Sequence, residues 1–116
     1  MTEIARVDIE RHDHRLIAHL RGEVDASNVR SLQRDIVAAI PNTAAGLVLE
    51  LSALDYIDSS GIRMLFALHK QLERRGQRVR AVVPDATPVK RVLDFAGVGT
   101  LIPLDAELSA ALAELV

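Results

Sequence analysis

At 116 residues, with 49% apolar residues and a formal net charge of −2, the chain has room for one domain and for a core that stands without staples. It contains no cysteine, which excludes disulfides, thiolate chemistry and cysteine-based zinc sites. Tyr56, Phe66 and Phe95 are the only aromatic residues and there is no basic excess, so a protein or small ligand is expected as partner and nucleic acid is not.

Met1-Thr2-Glu3-Ile4-Ala5-Arg6 lacks the basic start and apolar run of a secretory leader. No apolar stretch approaches the roughly 20 residues that span a bilayer. A cytoplasmic protein without membrane insertion is the expectation.

Ala5, Val7 and Ile9 alternate with Arg6, Asp8 and Glu10, the period of a half-buried strand. Leu16, Ala18 and Leu20 alternate with Ile17, His19 and Arg21 in the same way. The polar run Arg11–Arg15 between them predicts an antiparallel hairpin. Gly22-Glu23-Val24-Asp25 breaks the pattern, and Asp25 is placed to N-cap a helix. Val29, Leu32, Ile36, Val37 and Ile40 follow at helical spacing until Pro41-Asn42. Leu47-Val48-Leu49-Glu50-Leu51 predicts a strand buried on both faces.

A second helix is predicted after Asp58, running to Arg75 with Gly76 as its C′ residue. Residues 78–83 supply another strand, so strand, helix and strand form a right-handed crossover between parallel neighbours. Thr87-Pro88 opens a third helix as cap and first helical residue, with Val89, Val92, Leu93 and Ala96 as its buried stripe and Gly97 as its end. Leu101-Ile102 is expected as a short edge strand. A last helix from Asp105 is expected to bury Leu108, Leu112 and Leu115. No repeat or linker interrupts this order. The fold class is α/β: one domain over residues 1–116, a mixed open sheet with an N-terminal hairpin and parallel strands, packed with about four helices.

Asp58-Ser59-Ser60-Gly61 is the stretch richest in chemistry. With Asp58 as N-cap, both serines and Gly61 occupy a first turn whose free N–H groups and dipole favour an anion. Advancing about 100° per residue puts Ile62, Leu65, Phe66, His69 and Leu72 on one arc, the expected core face. Ser59 then points toward the edge of that arc. Ser60 points away beside Arg63, Met64 and Ala67, as the more exposed hydroxyl. Arg63, Lys70 and Arg74 form a basic stripe, read either as a solvated back or, with Met64 at the edge of the apolar arc, as a docking face.

Other chemistries find less support. The Gly-x-Ser-x-Gly pattern is absent because position 58 is Asp, and no histidine has an evident path to either serine. His12 and His14 with Asp13 fall short of three dependable metal ligands. There is no P-loop or dinucleotide fingerprint, so no metal or cofactor is expected. Asp25 and Asp58 both follow strands and would converge at one sheet edge, where capping is their default role.

In order and spacing, Gly22-Glu23-Val24-Asp25, Leu47 to Ser52 and Asp58-Ser59-Ser60-Gly61 resemble the STAS domain of anti-sigma-factor antagonists, and the likeness extends through Phe95-Ala96-Gly97-Val98 and Leu101-Ile102-Pro103. Glu50 stands where Asp is usual and Ile62 where Leu is common. The resemblance implies a non-enzymatic module that binds an anti-sigma factor and releases a sigma factor. That anti-sigma factor is also a serine kinase of the histidine-kinase-like ATPase fold. It phosphorylates the serine before the motif glycine, here Ser60 with Ser59 as second choice, and so ends binding. A PP2C-type serine phosphatase reverses the mark. Asp25, Asp58, Ser59, Ser60, Gly61, Arg63 and Met64 are the implied partner surface. The family also serves in signalling scaffolds, lipid-transport complexes and anion transporters; the first two are the alternatives kept open, and a transporter tail is not expected because no membrane segment precedes the domain.

Overall fold

A computed structural model describes residues 5–115; residues 1–4, which carry most of the expectation of no leader, lie outside it. Strand β1 (Arg6–His12) pairs antiparallel with β2 (Arg15–Val24), as the alternation predicts. The turn is tighter than expected: Asp13 and His14 alone connect the strands, with Asp13 at φ 60°, a left-handed conformation that Asp tolerates. β1 is an edge strand, so Val7 packs partly on the core while Ile9 is exposed.

From β2 onward every strand pair is parallel. β3 (Gly46–Ile57), β4 (Arg78–Val82) and β5 (Leu104–Asp105) complete a sheet in the order β1-β2-β3-β4-β5. Helices α1 (Val29–Ala39), α2 (Ser59–Glu73) and α3 (Pro88–Phe95) lie on one face and α4 (Leu108–Glu114) on the other. Leu16, Ala18 and Leu20 of β2, with Leu47, Leu49 and Leu51 of β3, meet the first three helices. Ile17, Val48 and Val82 meet Ala111 of α4 and Leu115 just past its end. This two-sided cover is why Leu47 to Leu49 reads as a continuous apolar run.

Several expected details shift. β3 continues six residues beyond Leu51 and carries Tyr56 and Ile57 to the end of the sheet. α2 ends at Glu73, and Gly76 at φ 72° closes the turn beyond it. α3 begins as predicted, Thr87 Oγ1 accepting from the Lys90 N–H at 3.1 Å with Pro88 at the first position. Its buried stripe, however, is Val89 and Leu93 alone. Val92 and Ala96 are exposed, and Phe95 is 96% exposed, because this short helix meets the core along one narrow line.

Leu101-Ile102 is not a strand. A 3₁₀ turn (Val98–Thr100) follows Gly97, and the edge pairing falls at Leu104–Asp105. Asp105 does not open α4; its carboxylate pairs with Arg80 at 2.9 and 3.2 Å, raising the guanidinium pKa through that hydrogen bond. α4 starts at Leu108, burying Ala111 fully and Leu108 and Leu112 in part, with Leu115 buried just past its end. Among the described residues no helix is long and apolar enough to cross a membrane.

Candidate functional site

The site grows from two strands that end side by side. In the parallel register Val24 of β2 stands opposite Ile57 of β3, so Asp25 and Asp58 leave the sheet at the same edge, as the sequence suggests. The Asp58 N–H donates to the Val24 carbonyl at 3.2 Å and ties the two exits together.

Asp58 caps α2. Its Oδ1 accepts from the Gly61 N–H at 3.0 Å, and its carbonyl accepts from the Ile62 N–H at 3.0 Å. Gly61 is fixed by proximity: a Cβ there would lie 2.4 Å from Ile57 Cγ1 and 3.0 Å from Val24 Cγ1. The first turn of α2 therefore presses directly on the ends of both strands.

Asp25 behaves differently from expectation. The N-cap residue of α1 is Asn28, which makes no side-chain capping bond to the helix. Asp25 Oδ1 instead accepts from the hydroxyl of Ser27 and from its N–H at 2.9 Å, an Asx turn that delays the helix by three residues. Those two bonds, the hydroxyl first, hold the Asp25 pKa below its ordinary value. The Asn28 side chain closes the turn, Nδ2 donating to the Glu23 carbonyl at 2.9 Å and Oδ1 accepting from the Asp25 N–H at 3.1 Å. The sequence signal for this was present in Asp25-Ala26-Ser27-Asn28, which offers three capping residue types within four positions.

The two serines sit opposite to expectation. Ser59 is exposed, whereas Ser60 is half-buried. The core-facing residues of α2 are Gly61, Ile62, Met64, Leu65, Leu68 and Leu72. Relative to the predicted arc the helix is rolled by about 60° toward α1 at 100° per residue. Met64, expected at the edge of a docking face, is 3% exposed, while Phe66 and His69 lie at the margin of the core. The cause is α1, which packs along that flank and buries Met64 from the side; Gln33 Nε2 reaches Gln71 Oε1 at 3.4 Å where the helices meet.

Ser60 thereby lines a groove of about 400 Å³ between α1 and α2, with Val29, Met64 and Ala67 as apolar walls and Arg30 and Arg63 as cations. Arg63 Nη2 donates to Ser60 Oγ at 3.2 Å. Arg63, Lys70 and Arg74 are all exposed and form the basic stripe. Arg30 escaped the sequence reading because its distance from Ser60 in the chain hides their shared groove. Of the histidines, His19 pairs with Glu10 at 2.8 Å on the far face of the sheet and His69 with Glu73 at 3.6 Å. Among the described residues no three His, Cys, Asp or Glu side chains cluster as metal ligands.

A five-stranded sheet with one antiparallel edge, three helices on one face and a capped Asp-Ser-Ser-Gly turn at its C-terminal edge defines a known class. The STAS domain family matches residues 6–111, and the chain belongs to it. An anti-sigma-F factor antagonist, RsfA of Mycobacterium tuberculosis, is 32% identical over 109 residues, covering 92% of this chain and 84% of that protein. An anti-sigma factor antagonist from Mycobacterium paratuberculosis superposes with a TM-score of 0.86 at 24% identity, over 97% of this chain and 94% of that one. The phosphorylated form of the Bacillus cell fate determinant SpoIIAA superposes at 0.68 with 24% identity, over 96% and 100% of the two chains.

Proposed function

We propose that the protein is an anti-sigma-factor antagonist whose binding is switched at Ser60. The unphosphorylated form binds an anti-sigma factor, itself a serine kinase of the histidine-kinase-like ATPase fold, and frees its sigma factor. Phosphorylation of Ser60 ends binding, and a PP2C-type phosphatase restores it. The role is binding, with no turnover of a substrate.

The observation that carries this reading is the placement of Ser60. Its hydroxyl stands in the first turn of α2, two residues after the capping Asp58 and beside the exit of the neighbouring strand at Asp25. Asp25, Asp58, Ser59, Ser60, Gly61 and Arg63 form the surface offered to the partner, with Met64 supporting it from beneath. A phosphoserine brings about −1.5 to −2 charges at neutral pH. Placed beside Asp58 and Asp25, that charge must lose water when a partner docks, and like charges at an interface cost several kcal/mol, where about 1.4 kcal/mol is tenfold in affinity. The helix itself tolerates the anion because it falls at the positive end of the dipole.

The test is to incubate the protein with its kinase and ATP, map the modification by peptide mass spectrometry, and titrate the product against the partner. Phosphate is expected on Ser60, with binding weakened at least tenfold and no fall in melting temperature. Ser60→Ala should bind the partner and ignore the kinase. Stoichiometric phosphate elsewhere with Ser60 bare, or loss of affinity in step with a fall of many degrees, would overturn the proposal. So would co-purification from the host with other STAS proteins or a membrane ATPase in place of an anti-sigma factor.

A further inference from the structure

The hydroxyl that the switch is read to modify already has a cation on it. Arg63 Nη2 donates to Ser60 Oγ at 3.2 Å. Arg63 lies one turn along α2 from Ser60, so the two side chains meet on the same flank of the helix. That flank faces α1, from whose first turn Arg30 lines the same groove. The floor and walls between them are apolar, Val29, Met64 and Ala67, with Met64 3% exposed. Among the described residues neither Arg30 nor Arg63 forms an ion pair with a carboxylate. Two guanidinium groups without acidic partners thus line one groove with a single serine hydroxyl on its wall.

We propose that the α1–α2 groove is an internal receptor for the phosphate on Ser60, with Arg63 as its principal ligand and Arg30 as the second. This rests on Ser60 being the acceptor and adds where its phosphate goes. Guanidinium groups match phosphate geometry in a bidentate manner, and such charge-assisted bonds are about twice as strong as neutral ones. A phosphate on Oγ is directed along the bond Arg63 already makes. The Asp58 carboxylate, held on the Gly61 N–H of the same turn, opposes a phosphate directed its way, so repulsion and attraction favour the same orientation. Switching then has two parts. The modification adds charge, and it also withdraws Arg63 and Arg30 from any acidic group of the partner.

The measurement is the second ionisation of the phosphate. Phosphoserine is installed at position 60 of the full chain by genetic encoding, so that no kinase is needed, and titrated by ³¹P NMR in low salt. An ordinary phosphoserine titrates near about 6. In the wild-type background the midpoint should lie at least half a unit below that of the Arg30→Gln/Arg63→Gln double variant. Arg63→Gln alone should remove most of the difference, and Arg63→Lys should keep part of it. Alkaline phosphatase, which has no dedicated contact with this protein, should release phosphate at least threefold faster from the double variant. Both arginines are exposed, so unmodified variants should melt with the wild type, and a melting curve of each confirms that the fold is intact. Equal midpoints and equal release rates in wild type and double variant would overturn the receptor. The two readings fail separately: equal midpoints leave the switch standing, and a kinase that ignores Ser60 leaves the midpoint measurement untouched.

Discussion

Two strand-to-helix junctions lie side by side in this protein and begin with the same residue type, yet they are built differently. β3 ends in Ile57-Asp58 and turns at once into α2, capped by the Asp58 carboxylate on the Gly61 N–H. β2 ends in Val24-Asp25 and takes three further residues, Ala26 to Asn28, before α1 starts. The first junction has a glycine at the point where helix meets sheet; the second has none and stands off. That difference leaves the space beside Ser60: a tight α2 start and a displaced α1 start flank an open groove at the edge where both aspartates emerge. An aspartate after a strand is therefore an incomplete signal. The residues three positions on decide whether it caps a helix or folds a loop.

The sharpest way to break the contrast is to give the tight junction a side chain. Gly61→Ala should destabilise by about 1–3 kcal/mol through overpacking, outweighing the roughly 1 kcal/mol that alanine offers a helix. Ile57→Ala alone should cost about 2–5 kcal/mol for a lost buried side chain. Because the new methyl would occupy space vacated by Ile57 Cγ1 and Cδ1, the double variant should be more stable than the two losses added together. Urea unfolding of all four proteins checks this, and strict additivity would mean that Gly61 is not held by that contact.

Next in size are the aspartates themselves. Asp58→Ala should lose about 1 kcal/mol, the usual worth of a side-chain cap, and Asp25→Ala should lose less, since its bonds stay within an exposed loop. Equal losses in chemical denaturation would erase the distinction between the two junctions. Ser59→Asp is expected to change stability by no more than about 0.5 kcal/mol, because Ser59 is exposed and a first-turn anion is tolerated.

The smallest effect is a pH dependence. The Asp25 pKa is lowered in the fold, chiefly by the Ser27 hydroxyl and then by its N–H. A depressed carboxylate contributes stability that is present above its unfolded pKa, here 3.8, and is lost as pH falls through the folded value. Asp25→Asn should therefore lose slightly less stability than the wild type as pH falls from 5 through the acid range. A steeper loss in the variant would reverse the sign assigned to this group.

Much of this was legible in the sequence. The hairpin, the buried run of β3, the Asp58 cap, the Thr87-Pro88 start and the order of elements all follow from local period and capping chemistry. Most of what failed traces to neighbours distant in the chain; the Asp25 turn, set by Ser27 and Asn28, is the local exception. The roll of α2 that buries Met64 and half-buries Ser60 is set by α1 packing on its flank, which the periodicity of α2 does not contain. Among the described residues Val92 and Ala96 are exposed, so an apolar stripe on α3 reads wider than the contact it makes. Arg80 pulls Asp105 into the last strand, a pairing across 25 residues that hides the true start of α4.

The outer edge of β1 has a consequence for the life of the protein among its own copies. Seven residues of strand leave one row of backbone donors and acceptors open to any passing chain, a template for edge-to-edge growth. Arg6, Asp8, Glu10, Arg11 and His12 crowd this strand with hydrated groups of both signs, and Arg21 draws Asp8 to 3.7 Å across the hairpin. Dense charge on an exposed strand raises the desolvation barrier to an added strand, so the same residues that make β1 a poor contributor to the core are its protection against aggregation.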